Sequence, residues 1–274
     1  MQEIVDFLQK NAEGDLLPFS AQQEAAARFS LHLAEVEEIA LTHNLLPTCY
    51  QRNRTMISIQ QQLSLLRSKV AVFGCGGLGG YIIEELARLG IGKITVVDPD
   101  VFEEHNLNRQ LLCTRELLGS NKADAAARRV AAINPAVRVQ AFALAFDRGS
   151  SVDILQGVTV AADALDSIGI RLELAAACNK QNIPLVHGTI AGWSGHVAVQ
   201  YPGEDILQHL YAEKKTDHGV ELRLGNPSFT PAVIASLEVA EITKILLGFE
   251  PLQPRRYLAV DLYHSEFTEV LFPQ

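Results

Sequence analysis

The chain predicts an α/β fold: a doubly wound, mainly parallel sheet preceded by a helical N-terminal extension. Three features carry that expectation. From about residue 60 onward, short apolar runs alternate with longer helical stretches, and strands separated by helices form parallel sheets covered on both faces. One strand, VAVFG, runs directly into the glycine-rich turn GCGGLGG at 74–80 and out into a helix, the local pattern of a βαβ unit. Residues 1–49 are instead rich in Ala and Glu, with apolar residues at helical spacing.

Each element follows from its own pattern. A short amphipathic stretch opens the chain. Ser20 with Gln23 three residues on reads as a capping box, and Phe29, Leu33, Val36 and Ala40 fall on one helical face. One long surface helix ending before Pro47 is expected, serving as a packing or dimerisation arm. QQQLSLLRS reads as helix, KVAVFG as strand, 78–89 as helix, KITVVDPD (93–100) as strand and 122–134 as helix. RVQAFAL and VTVAADALD (158–166) are strands, followed by a helix in IRLELAAACNKQN and a strand in PLVHGTIAGWSGHVAVQYPG. Residues 203–227 are polar and without period. A long helix at 230–248 and a closing strand pair in RYLAVDLYHSEFTEVLF complete the chain. The expected organisation is 1–49 as the extension and 50–274 as one α/β domain, without internal repeats.

Composition narrows the class. With 274 residues, 48% of them hydrophobic, the chain buries a substantial core, and its net charge of −9 argues against a nucleic-acid or anionic-membrane partner. No apolar run approaches the ~20 residues needed to span a bilayer, and the first residues lack a basic-then-apolar leader. A cytoplasmic protein is expected. The four cysteines, Cys49, Cys75, Cys113 and Cys178, form no C-x-x-C pair, so neither a zinc knuckle nor a disulfide framework is indicated.

The glycines have physical tasks. Gly74 permits a tight strand-to-helix turn, Gly76 lets the backbone approach a phosphate, and Gly79 allows helix and strand to pack closely. The helix N-terminus then offers N–H groups to an anion. Asp98 lies 24 residues beyond Gly74, where a carboxylate accepts ribose hydroxyls. To this point an NAD(P)- or FAD-dependent oxidoreductase is equally served.

The next residues separate the alternatives. DPDVFEEHNLNRQLL places Asp100, Asn106, Arg109 and Gln110 after Asp98, and Lys122 follows in GSNKADAAARRV. An arginine and a lysine beside a phosphate-binding turn exceed what hydride transfer needs. They suit attack on a triphosphate, where negative charge builds on non-bridging oxygens and on departing pyrophosphate. Asp166, in DALDS, emerges at the carboxyl edge of the sheet, where it can hold Mg²⁺ against phosphates.

With YQRN (50–53), GCGGLGG (74–80), VVDPDVFEEHNLNRQ (96–110), NKADAAARRVAAINP (121–135), DALDS (163–167), PLVHGTIAGWSGHVAVQYPG (184–203) and GNPSFTPAVIASLEVAEITKILLG (225–248) in this order, the chain resembles the ubiquitin-activating-like (E1-like) adenylyltransferases of the ThiF/MoeB/HesA group. The resemblance covers about residues 50–270. It implies a Rossmann-like adenylation domain that uses ATP and Mg²⁺ to activate the C-terminal Gly-Gly carboxylate of a ubiquitin-fold sulfur carrier as an acyl-adenylate. It further implies that Gly74, Gly76, Gly77, Gly79 and Asp98 bind the nucleotide. Asn106, Arg109, Gln110 and Lys122 surround its phosphates, and Asp166 binds the metal. Arg52 matches an arginine that completes the partner subunit's pocket, so a homodimer is implied.

The chain also departs from that pattern. The paired cysteines that hold structural zinc in many relatives are missing. His209 and His218, with Glu204, Asp205 and Asp217, read as a solvated face, and no zinc is expected. No cysteine stands where some relatives form a thioester or persulfide. Cys75, Cys113 and Cys178 read as packing residues, so the chain supports adenylation without a cysteine-bound intermediate. Three other readings stay open: the oxidoreductase, an E1-like enzyme acting on a peptide or modified-tRNA carboxylate, and a non-catalytic partner subunit. Retention of Arg109, Lys122 and Asp166 together argues against the last.

Overall fold

A computed structural model describes residues 1–147, 149–212 and 224–272. Eight strands form one sheet in the order β10-β9-β8-β7-β6-β3-β4-β5. They are β3 (Lys69–Phe73), β4 (Lys93–Val97), β5 (Arg138–Phe142), β6 (Val160–Asp163), β7 (Leu185–Ala191), β8 (Ser194–Gln200), β9 (Arg256–Asp261) and β10 (Glu266–Leu271). β7, β6, β3, β4 and β5 run parallel, while β8, β9 and β10 extend the sheet antiparallel. The expected doubly wound, mainly parallel sheet is thus present.

Strand parity builds the two apolar layers. Val70, Val72, Ile94, Val96 and Val160 face helices α5 (Gly77–Leu89), α6 (Lys122–Ile133) and α10 (Phe229–Leu247). Ala71, Phe73, Val97, Ala161 and Leu185 face α7 (Ser151–Leu155), α8 (Ile168–Lys180) and α9 (Ile206–Tyr211). A strand buried on both faces loses the polar alternation of a half-exposed one, which is why KVAVF reads as continuously apolar. Each fully buried Val, Ile or Leu contributes about 1.5–3 kcal/mol relative to exposure.

Two expectations are corrected. Residues 20–46 do not form one long helix. Helix α2 (Phe19–Phe29) ends at Ser30 in the left-handed region (φ 54), and α3 (Leu33–Thr42) begins afresh after His32. The Ser20–Gln23 capping box is not used, because Pro18 is already the N-cap. The working box is His32 with Glu35: His32 Nδ1 accepts the Ala34 N–H, and Glu35 accepts the His32 N–H. The stretch 184–203 is likewise a hairpin of β7 and β8, turning at Gly192–Trp193.

The first helices, α1 (Gln2–Lys10), α2 and α3, share a small core of Ile4, Leu8, Leu17, Ala25 and Val36. A two-stranded parallel pair, β1 (Leu16–Leu17) with β2 (Leu46–Pro47), ties its ends together. This unit joins the sheet domain through Leu41, Leu46, Tyr50 and Leu66, the last on α4 (Ile59–Arg67). Tyr50 is the bolt. Its hydroxyl donates to Glu37 Oε2 at 3.2 Å and accepts from Asn134 Nδ2 at 2.8 Å.

Candidate active site

At the carboxyl ends of the parallel strands lies a cavity of about 710 Å³, where open α/β sheets bind ligands. Its floor is the glycine turn. Gly74 leaves β3 at φ +94, a left-handed conformation that favours glycine. A Cβ on Gly79 would collide with the Gly74 carbonyl oxygen, so that pair lets α5 start directly against the strand. Gly76 is the N-cap of α5 and offers no side-chain acceptor. The first helical N–H groups and the positive end of the helix dipole are therefore left for an anion. Gly79→Ala is expected to cost about 1–3 kcal/mol through overpacking and to displace the turn. Denaturant unfolding reads the first effect and ATP titration the second.

Asp98 follows β4 and is buried. Its two carboxylate oxygens accept the Cys75 N–H at 2.6 Å and the Asp100 N–H at 2.8 Å. Burial raises its pKa, partly offset by those two amides and by Lys122. Asp98 thus links the second loop to the glycine turn. Lys122 starts α6, whose N-terminus is capped by Asn121. Its ammonium lies 2.9 Å from Asp100 Oδ2, with side-chain exposures of 8% for the lysine and 63% for the aspartate. Asp100 is thus the exposed counter-ion of a buried lysine.

Arg109 donates to the His105 carbonyl at 3.1 Å and to Asn108 Oδ1 at 2.9 Å, and it lines the cavity beside Gln110. Gln110 and Asn226 both line this space, and their amide oxygens, Oε1 and Oδ1, are buried without a partner among the described residues. Buried acceptors of that kind call for a donor. Asn106 is placed differently: its amide oxygen closes a turn by accepting the Glu103 N–H at 3.0 Å. It lies outside the cavity lining. Gly79 supports the turn from behind, also outside the lining. Asp166 stands three residues beyond β6, exposed and on the cavity wall. Arg52 is exposed on the 3-10 helix Thr48–Asn53, outside the cavity of its own chain.

One wall was not anticipated. Arg171, Thr189, His196 and Tyr211 all line the cavity. Asp163 and His187, directly opposite in register on β6 and β7, lie fully buried beneath it. Strand parity places both on one face, so an acid facing a histidine was the available signal. Of the residues read as a solvated acidic face, His209 lies 3.3 Å from Asp205 at the surface, while Asp217 and His218 are outside the described residues. Cys178 is buried, with its thiol pushed up to about 12 by burial and then by Asp163. Burial also raises Cys75 and Cys113.

The family profile for the ThiF family matches residues 50–274. The chain belongs to the ThiF family. It is 32% identical over 225 residues to the SAMP-activating enzyme E1 of Haloferax volcanii, covering 81% of this chain and 83% of that one. It is 33% identical over 217 residues to the sulfur carrier protein adenylyltransferase of Thermus thermophilus, covering 76% and 80% respectively. The crystal structure of E. coli MccB with ATP superposes with a TM-score of 0.67 over 92% of this chain and 82% of that one. At 19% identity that likeness is one of fold. The ThiF match begins at Tyr50, so α1, α2 and α3 precede it, and the glycine turn, Arg109, Lys122 and Asp166 all fall inside it.

Proposed function

We propose that this ThiF-family chain is an ATP-dependent adenylyltransferase. Its substrate is the C-terminal Gly-Gly carboxylate of a ubiquitin-fold sulfur-carrier protein, activated as an acyl-adenylate with release of pyrophosphate. The observation that carries this reading is the convergence of the α5 N-terminus, Arg109, Lys122 and Asp166 on one cavity. Two cations beside a glycine turn answer the charge of a triphosphate, and a neutral hydride transfer has no use for them. The names of the two relatives above point to the same chemistry.

The step needs no protein nucleophile. A carboxylate oxygen of the carrier attacks the α-phosphorus of ATP. The bond from that phosphorus to the bridging oxygen breaks, and pyrophosphate departs with the electron pair. Arg109 and Lys122 neutralise the charge that accumulates on the phosphate oxygens. The glycine turn supplies backbone N–H groups, and Asp98 accepts from the ribose. The raised pKa values of Cys75 and Cys178 fit a mechanism in which no thiolate takes part.

Among the described residues no group of three or more His, Cys, Asp or Glu forms a metal cluster. Asp166, exposed on the cavity wall, fits Mg²⁺ that arrives on the nucleotide, since this ion commonly uses one or two carboxylates plus substrate phosphates. Bound there, Mg²⁺ neutralises phosphate charge, and the role of Asp166 is to fix where it sits. We place Arg52 in trans: in a homodimer its exposed side chain completes the partner's pocket.

The test is ligand-induced thermal stabilisation with ATP·Mg²⁺ and with NAD⁺. A ligand at 100 times its dissociation constant stabilises the native state by about 2.7 kcal/mol. The expected result is a rise in Tm with ATP·Mg²⁺, diminished in Asp166→Ala, and none with NAD⁺. A shift with NAD⁺ alone would overturn the proposal in favour of an oxidoreductase.

A further inference from the structure

Across this wall and the buried residues beneath it, four side chains from β6, β7, α8 and α9 close a ring. Arg171 Nη1 donates to the Tyr211 hydroxyl oxygen at 2.6 Å. The Tyr211 hydroxyl lies 3.1 Å from His187 Nε2, and His187 Nδ1 lies 2.7 Å from Asp163 Oδ2. Asp163 and Arg171 form an ion pair at 4.0 Å, which closes the circuit.

Chemistry assigns every proton in the ring. Burial lowers the pKa of His187 against the pull of Asp163, so the imidazole is neutral. Burial alone would raise Asp163, but Arg171 and His187 outweigh it and hold the carboxyl below its ordinary value. A carboxylate only accepts, so the imidazole proton resides on Nδ1 and Nε2 is bare. The Tyr211 hydroxyl therefore donates to Nε2 while its oxygen accepts from Arg171. Each donor has one acceptor, and the charges of Arg171 and Asp163 cancel within the buried set. Such a ring is cooperative, because loss of one member leaves its neighbours unpaired.

The ring grips one residue by both of its backbone polar groups. The Leu165 N–H donates to Asp163 Oδ1 at 3.0 Å. The Leu165 carbonyl accepts from Arg171 Nε at 2.9 Å and, in a still shorter contact, from Nη2. Asp166 is the next residue.

We propose that this ring is a positioning device: the docking of Tyr211 against His187 and Arg171 holds the Leu165 backbone, through its N–H and its carbonyl, so that Asp166 is presented to the cavity. What Asp166 does there rests on the adenylation reading; that the ring holds its loop does not. Tyr211, His187, Asp163 and Arg171 are positioning residues on this account. Because Tyr211 ends α9, the placement of that helix and of the phosphate-facing loop are mechanically one event.

Tyr211→Phe removes one hydroxyl and keeps the ring packing. Hydrogen exchange on the ligand-free protein is expected to show the segment 164–167 exchanging about 3- to 10-fold faster, the size of one net hydrogen bond, with exchange in β3 and β4 unchanged. His187→Asn, which can still donate to Asp163 but offers Tyr211 no ring nitrogen, is expected to do the same. Calorimetric titration of ATP, with and without Mg²⁺, then reads the consequence. Tyr211→Phe is expected to weaken ATP·Mg²⁺ binding by about 3- to 10-fold and to leave metal-free ATP binding unchanged. Combined with Asp166→Asn it is expected to add nothing, as befits two changes acting through one group. Unchanged exchange at 164–167 in both variants, or a loss that adds in full to that of Asp166→Asn, would overturn the ring while leaving the adenylation reading intact. Wild-type protein whose ATP affinity gains nothing from Mg²⁺ would overturn the role given to Asp166 under that reading.

Discussion

Replacing Lys122 with alanine is expected to lower ATP–pyrophosphate exchange by about 10²–10³-fold, the loss typical of removing one preorganised charge from a transition state. The measurement pairs the purified enzyme with a ubiquitin-fold carrier ending in Gly-Gly. The structure separates this effect from misfolding. Helix α6 is capped by Asn121 rather than by Lys122, and Ala is the best helix former. The abandoned partner, Asp100, is 63% exposed at its side chain, so water accepts its charge at little cost. The melting temperature is therefore expected to move by only a few degrees while the rate collapses. Lys122→Ala with undiminished exchange would remove the lysine from the chemistry. It would leave the Lys122–Asp100 pair as a loop clamp only.

Raising the pH is expected to loosen the joint between the N-terminal helices and the sheet domain. Glu37 on α3 is buried, and burial pushes its carboxyl from 4.5 to about 7 even though the Tyr50 hydroxyl bonds to it and pulls the other way. The folded chain thus holds this proton more tightly than the unfolded chain does. The stability it contributes is whole below about pH 4.5 and is lost as the pH rises through about 7. A separation of about 2.5 pKa units (7 minus 4.5) corresponds to about 3 kcal/mol. Glu37→Gln keeps an acceptor for Tyr50 and removes the titration. It is expected to match wild type near pH 4.5 and to exceed it by about 3 kcal/mol at pH 8.5, in urea unfolding followed at both values. Equal stabilities at pH 8.5 would show that the carboxylate is reached by water.

Legibility followed the range of the interactions involved. The glycine turn was readable because Gly74 and Gly79 solve a problem confined to a few residues: a sharp exit from β3 and a helix starting against it. The strands were readable because a parallel strand buried on both faces must be apolar throughout, as KVAVF and KITVV are. The N-terminal helices were misjudged for a local reason. Ser20 and Gln23 carry the spacing of a capping box, but Pro18 stands ahead of them and starts the helix first. His32, an uncommon cap, then opens a second helix that Ser and Thr statistics do not anticipate. Among the site residues, Asn106 sits in the same motif as Arg109 and Gln110, yet its side chain is spent on the Glu103 amide. Motif order specifies which residues are near the site, and local hydrogen bonding decides which of them face it.

From the order of residues alone came the alternation of strands and helices, the phosphate-binding turn, and the set of Arg109, Lys122 and Asp166 with its implied chemistry. The alternation and the turn depend on neighbours within about a turn or a strand, where covalent connection dictates proximity, whereas the set of three was legible only through the order of the motifs that carry it. The pairing of Asp100 with Lys122 was settled only by tertiary structure, as were the bolt of Glu37, Tyr50 and Asn134 and the ring of Asp163, His187, Arg171 and Tyr211. Each joins residues from separate elements, and which charges and donors meet is determined by which strands lie side by side and which face each helix turns inward. Buried polar groups call for partners at hydrogen-bonding distance, and in these three sets those partners are supplied by tertiary packing of separate elements.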